Sequence, residues 1–222
     1  MSKLFLRFGQ KVDSLDLTRA RGVLWGVEAK RLVLMEQTHS NKVKEVKKED
    51  LGCGFTKPAL PVVDAVCSDM PNILLVVKSA DCVPILFYDP IHNAVAAAHS
   101  GRKGTQNAIC VRVLEKMHAL YGSMPQEMQV SIGPGVSGEH YQVSQAIYDR
   151  FVEQTGLTQP VRGQLDLRKV IVADLLRSGV SAEHLRCSSE CTYSNDKYFS
   201  YRRDKSCGRQ LSAIGVLDGT NF

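Results

Sequence analysis

No stretch of the 222-residue chain strings together the ~20 apolar residues that a bilayer crossing requires, so no membrane span is expected. Residues 1–10 lack a long apolar core followed by a small-residue cleavage site, so no signal peptide is expected either. There is no internal repeat and no low-complexity linker, which predicts a single domain over residues 1–222. Tryptophan occurs once, and no aromatic residues interleave the basic run Lys42, Lys44, Lys47 and Lys48. Without rings to stack on bases, that run reads as a solvated charged face, so no nucleic-acid partner is expected. The seven cysteines are odd in number and form no regular framework, which points to a reducing, cytoplasmic setting.

The composition supplies what these absences leave open. Hydrophobic residues make up 44% and charged residues 23%, enough to build a sizeable core without staples. A metal needed only to hold the fold together is therefore not expected. The net charge of +5 fits an anionic small-molecule substrate.

Short apolar segments bounded by polar or turn residues predict strands at Leu4–Arg7, Leu32–Glu36, Ile73–Val77, Val83–Tyr88, Ala94–Ala98, Gln129–Ile132 and Leu211–Leu217. Helices are predicted over Thr105–Tyr121, with Ile109, Val113, Met117 and Leu120 on one face, over Ser144–Thr155 behind a capping serine, and over Asp166–Ser178. Strands neither alternate strictly with helices nor segregate from them. The expected class is α/β, a mixed β-sheet core flanked by helices.

Chemistry concentrates before the first long helix. Val83–Tyr88 and Ala94–Ala98 are apolar throughout, as strands buried on both faces are. Asp89-Pro90-Ile91-His92-Asn93 reads as the hairpin loop between them. Counting back from that loop sets Val83 opposite Ala98 or His99, which makes Cys82 and His99 spatial neighbours. A neighbouring thiol and imidazole admit three readings: a buried inert pair, a Cys–His dyad with a thiolate nucleophile, or part of a metal site. His39, at the polar end of Leu34-Met35-Glu36-Gln37-Thr38-His39, is a plausible third ligand. Two histidines and one cysteine suit zinc and leave one coordination position open.

Several segments together resemble the YfiH/YlmD-type family, long labelled "polyphenol oxidase, laccase domain". They are Gln37-Thr38-His39-Ser40, Asp64-Ala65-Val66-Cys67-Ser68, Ser79-Ala80-Asp81-Cys82-Val83-Pro84 and Ala97-Ala98-His99-Ser100-Gly101, then Ile132-Gly133-Pro134, Tyr141-Gln142-Val143, Cys191-Thr192, Phe199-Ser200-Tyr201-Arg202-Arg203-Asp204 and Gly208-Arg209. They occur in family order along nearly the whole chain. The resemblance implies a zinc site at His39, Cys82 and His99, which would also be the catalytic residues, with copper as the less favoured metal. It implies a fold similar to that of necrotizing-toxin deamidases, which keeps the Cys–His hydrolase alternative open. It further implies purine nucleoside phosphorylase and adenosine deaminase activity on adenosine, inosine or methylthioadenosine, in a monomer or weak homodimer. Removal of wrong amino acids from peptidoglycan precursors is the rival enzyme activity, and a metal-binding module without turnover is the non-enzyme rival. The laccase label itself fits poorly. Multicopper oxidation needs two or more imidazoles at each of several centres, and the chain has six histidines in all.

Candidate substrate and phosphate contacts follow. Arg7, near the end of the first strand where the family also has an arginine, is a candidate anion ligand. The family usually reads His-Ala-Gly-Trp-Arg-Gly where this chain reads His99-Ser100-Gly101-Arg102-Lys103-Gly104. Arg102 thus stands at the tryptophan position and Lys103 at the arginine position, where lysine keeps the charge but loses the bidentate fork. With Gly101 and Gly104 ahead of a helix expected from Thr105, Lys103 outlines a phosphate-sized pocket or else a simple strand-to-helix turn. Of Arg202 and Arg203, one is expected to face substrate, and Arg203 is the candidate. Asp64 and Asp81 are candidates for orienting a histidine, for proton transfer or, in the case of Asp64, for substrate contact. Cys187, Cys191 and Cys207 are expected to be core residues, and His92, His118 and His184 surface or packing residues; His140 has no assigned role.

Overall fold

A computed structural model of the chain describes residues 2–13, 23–158 and 161–218. Its strands are β1 (Ser2–Phe8), β2 (Val23–Leu24), β3 (Val27–Glu28), β4 (Leu32–Leu34), β5 (Val43–Glu45), β6 (Ala65–Ser68), β7 (Leu74–Ser79), β8 (Val83–Asp89), β9 (Ala94–Ser100), β10 (Gln129–Ile132), β11 (Leu185–Cys187) and β12 (Gln210–Asp218). Its helices are α1 (Arg102–Gln106), α2 (Ile109–Tyr121), α3 (Gln145–Thr155) and α4 (Leu167–Arg177).

The strands form a six-stranded sheet, β11-β10-β8-β9-β6-β5, a four-stranded sheet, β1-β12-β7-β4, and the small β2-β3 pair. Both larger sheets are mixed: β4–β7, β5–β6 and β10–β11 pair parallel and the rest antiparallel. Period-2 alternation explains the layering. On the six-stranded sheet, Ala65, Cys67, Val83, Ile85, Phe87, Ala94, Ala96 and Ala98 face α2, α3 and α4. The alternate residues Val66, Leu86, Val95 and Ala97 face Leu75, Val77, Ile214 and Val216 of the four-stranded sheet. That second sheet buries its other face beneath Leu24 and Val27. Strands covered on both sides carry no alternating polar residues, which is why β7, β8 and β9 read as continuous apolar runs. The alanines of β9 bring little bulk, so α2 packs directly on that strand.

The α/β class with a mixed, helix-flanked sheet is as expected. Several boundaries moved. The β8–β9 register sets Val83 opposite Ser100 and Pro84 opposite His99, one to two residues beyond the count, because Asp89 pairs with Ala94 instead of entering the loop. Asp89 turns that corner with its side chain: Oδ1 accepts from the Ile91 and His92 N–H at 2.8 and 3.1 Å, and Oδ2 meets His92 Nδ1 at 2.7 Å. The expected helix from Thr105 is two helices, starting at Arg102 and broken where Ala108 takes φ 51°. At the break the Asn107 carbonyl turns out to accept from Asn41 Nδ2 at 3.2 Å. The buried face of α2 is Ile109, Cys110, Val113, Leu114 and Met117, while Leu120 is exposed. Asp166 caps α4 through the Arg168 and Lys169 N–H, whereas Ser144 stands at the start of α3 without a side-chain cap bond. Within the basic run, Lys44 is half-buried and pairs with Asp50. No helix among the described residues is long and apolar enough to cross a membrane.

Candidate metal centre and adjoining cavity

Three connections deliver the site. His99 lies near the end of β9, Cys82 immediately precedes β8, and His39 follows β4 after a short bridge between Met35 and Leu60. Their ligand atoms all fall within 4.8 Å of one another. Cys82 Sγ is 3.9 Å from His39 Nε2, and the two imidazole rings meet edge to face with centroids 5.0 Å apart. Cys82 and His99 are thus neighbours as the hairpin count required, and His39 joins them across the sheets.

Asp64 organises the cluster. It is fully buried at the start of β6, and its Oδ1 meets His99 Nδ1 at 2.9 Å. Oδ1 also accepts from the His39 N–H at 3.0 Å, and Oδ2 from the Thr38 and Ser40 N–H at 3.1 and 2.6 Å and the Ser40 hydroxyl at 2.7 Å. One carboxylate therefore fixes the His99 ring and the loop that carries His39, where His39 itself sits at φ 62°. Burial alone would push Asp64 toward neutrality, but the donors from His99 and Ser40 outweigh it and hold the carboxyl well below the usual range. With Nδ1 committed to Asp64, His99 presents Nε2 to the cluster. A carboxylate behind a ligating imidazole is the usual outer support of a metal site.

The cluster is electrostatically coupled. Burial opposes ionisation of Cys82, yet the charge of His99 and the hydrogen bonds from His39 and His99 bring the thiol down to about 6. Burial likewise opposes protonation of His99, while the Cys82 thiolate and Asp64 raise it to about 9. Gly101 closes the group on the side of α1. A Cβ there would stand 2.7 Å from His39 Cδ2 and 2.9 Å from Cys82 Sγ, so only glycine lets the chain pass this close. Donor identities, spacing, the buried carboxylate and the glycine cradle fit a metal ion.

Two cavities meet at Ala80, Cys82 and Tyr201. The one of about 640 Å³ exposes His39, Cys82 and His99 beside Gln37, Lys78 and Arg209. The one of about 770 Å³ runs from Cys82 past Arg102, His140, Tyr141, Tyr193 and Arg202. Asp81 shapes the rim. It takes φ 88°, and its carboxylate accepts from Thr192 Oγ1 and the Arg202 N–H, both at 2.7 Å.

Other candidates lie elsewhere. Arg7 bonds Asp13 at 2.5 Å and lies over the Trp25 ring on the outer face of the four-stranded sheet, not in either cavity. Lys103 is an exposed residue within α1, and Arg102 is the one that turns into the larger cavity, where it also bonds Gln106 at 2.9 Å. Arg203 spends its guanidinium on the carbonyls of Thr192, Tyr193 and Tyr198, tying down their loop, while Arg202 lines the cavity. Asp64 has no surface left for substrate. Cys187 is exposed because it ends β11, the edge strand of its sheet, and Cys191 and Cys207 are half-buried because the segment after it crosses the surface instead of entering the core. Tyr193 and Tyr201 were not singled out by sequence. Their only signal was position in the two motif-bearing segments after β11.

The family described as "Multi-copper polyphenol oxidoreductase laccase" matches residues 13–217. The chain belongs to that family. It is 32% identical over 206 residues to a protein named purine nucleoside phosphorylase YlmD from Bacillus subtilis, covering 88% of this chain and 74% of that one. It is 37% identical over 158 residues to a Clostridium acetobutylicum protein also named purine nucleoside phosphorylase, covering 68% and 66%. Among solved structures it superposes on YlmD from Geobacillus stearothermophilus with TM-score 0.83 at 27% identity, over 98% of this chain and 92% of that one.

Proposed function

We propose that this family member is a zinc-dependent purine nucleoside phosphorylase, with adenosine deamination as a companion activity. Adenosine, inosine and methylthioadenosine are the proposed substrates. The observation that carries the reading is the convergence of His39, Cys82 and His99 where two cavities meet. Relatives named purine nucleoside phosphorylases support the reaction class.

A zinc ion held by these three donors would supply a Lewis acid at the cavity mouth. The chain's own residues do the rest. Asp64 holds His99 in the tautomer that points Nε2 at the cluster. Tyr141, Tyr193 and Tyr201 offer aromatic faces to a purine. Arg102, and Arg202 through the part of its guanidinium not given to the Gln142 carbonyl, offer charged N–H donors to phosphate, the role first expected of Arg7 and Lys103. Phosphate held there attacks the ribose carbon, a C–O bond forms as the glycosidic C–N bond breaks, and the purine leaves. In deamination, water adds at the carbon bearing the exocyclic amine and ammonia leaves. The copper-oxidase family description does not extend to a multicopper mechanism here. Of the six histidines, His92, His118, His140 and His184 bond to Asp89, Ser123, Ser137 and Gln126 away from the cluster.

A second reading has its own support: Asp64, His99 and Cys82 also form an acid–imidazole–thiol series suited to a cysteine hydrolase. The test is a product assay of zinc-loaded protein with adenosine, with and without phosphate. Adenine appearing only with phosphate, together with inosine, supports the proposal; neither product refutes it. His39→Ala separates the two readings, because it removes a zinc ligand and leaves the thiol series intact.

A further inference from the structure

A second thiol–imidazole group lies outside the cluster. Cys191 Sγ is 3.7 Å from His140 Nδ1, and it accepts from the Ser137 N–H at 3.3 Å. The Ser137 hydroxyl is 3.0 Å from the same His140 nitrogen. The His140 ring is stacked on Tyr193, with centroids 4.7 Å apart and planes at 26°, so it is held in place from its other side. Cys191 opens on a third cavity of about 420 Å³, whose polar lining includes Gln164, Asp166, Lys169 and Ser194. The proposed reaction at His39, Cys82 and His99 uses neither Cys191, Ser137 nor His140, although His140 and the purine-facing Tyr193 also line the larger cavity.

Exposure alone would rank the surface thiols differently, since Cys187 is exposed and Cys191 only half-buried. Chemistry reverses that order. Burial raises the Cys191 thiol, but donors from Ser137 and Ser194 outweigh it and bring it down to about 6; Cys187 and Cys207 are pushed up, chiefly by burial.

We propose that Cys191, Ser137 and His140 form a peroxide-reactive thiol site, at which a small hydroperoxide oxidises Cys191 to a sulfenic acid. The thiolate sulfur attacks the nearer peroxide oxygen, an S–O bond forms and the O–O bond breaks. The sulfur loses two electrons to the peroxide, and the departing hydroxide leaves as water with a proton relayed from solvent through His140 and Ser137. Ser137 holds the thiolate through its N–H before attack. A cavity of this size admits hydrogen peroxide.

The test uses the full chain at pH 7, with each cysteine followed by peptide mass spectrometry. Iodoacetamide reads thiolate reactivity; hydrogen peroxide followed by a sulfenic-acid trap reads the oxidation. A thiol at about 6 is almost wholly ionised at pH 7, some two orders of magnitude more than one at 9. Its weaker nucleophilicity takes back most of that advantage, leaving Cys191 at least about three-fold faster than Cys187 or Cys207, whose thiols are pushed above that ordinary value. His140→Gln should cut sulfenic-acid formation at Cys191 more than it cuts alkylation, since only the peroxide step needs a proton relayed through the imidazole. If Cys191 in the unaltered protein reacts no faster than the more exposed Cys187, or if His140→Gln leaves peroxide oxidation unchanged, the site does not exist.

Discussion

Replacing Asp64 with asparagine is the sharpest probe of the cluster, because the two shapes are nearly equal and the hydrogen-bond inventories are not. The carboxylate only accepts, and each oxygen faces N–H donors. If the asparagine amide nitrogen takes the Oδ2 position, it faces the Thr38 and Ser40 N–H groups and strands both. If it takes the Oδ1 position, it strands the His39 N–H, but His99 can answer by accepting at Nδ1 and carrying its proton on Nε2. The second arrangement is cheaper, stranding one buried donor at about 1–3 kcal/mol instead of two. It is also the one that blocks the His99 nitrogen facing Cys82. For a chain of this length about 1–3 kcal/mol lowers the melting temperature by roughly 2–12 °C. Metal affinity should fall about 10–100-fold, the usual cost of losing an outer partner of a ligating imidazole. Thermal melts of metal-free protein and competitive chelator titration of zinc-loaded protein measure the two effects. A variant melting with the parent and binding zinc equally well would refute the role given to Asp64.

Gly101→Ala crowds both the exposed His39 ring, which can swing aside, and Cys82 Sγ, which must shift as well. Zinc affinity should therefore fall at least as much as in Asp64→Asn, with a lower melting temperature of the metal-free protein; the same titration and melts read both. Arg102→Met removes one charge-assisted phosphate contact worth about 1.5–3 kcal/mol, so the KM for phosphate should rise about 10- to 100-fold while deamination of adenosine is spared; steady-state kinetics of both reactions check this. Asp89 gives a pH signature in urea melts: burial favours its neutral form, but the Ser123 hydroxyl, His92 and the Ile91 N–H together prevail and hold its pKa below the usual value. Its stabilising contribution is therefore complete above about pH 4 and is lost as pH falls below that, and Asp89→Ala should flatten this acid limb.

The hairpin at the centre of the fold was legible because two local signals agreed. The apolar runs of β8 and β9 gave length and double-sided burial, and the polar loop between them limited the register to within two residues. That precision sufficed to pair Cys82 with His99. β5 and β6 escaped notice because three- and four-residue strands of mixed composition have no period to read. The break at Ala108 was hidden for a different reason: no glycine or proline announces it, and the Asn41–Asn107 contact across it is long-range.

The arginines show where sequence reading ends for a site of this kind. Arg102 and Lys103 are adjacent, and both carry the positive charge that a phosphate pocket calls for. Successive side chains on a helix lie about 100° apart, so only one of them can face the cavity. Which one depends on where α1 begins, and α1 begins at Arg102, three residues before the apolar pattern suggested. The same holds for Arg202 and Arg203. Arg203 is drawn inward by three backbone carbonyls, and that leaves Arg202 on the cavity wall over Tyr141. Residue type therefore placed positive charge in two segments that reach the cavity, while backbone geometry chose which residue of each lines it. The His39–Cys82–His99 cluster was less exposed to this error, because each member comes from a separate connection and no second histidine or cysteine adjoins any of them.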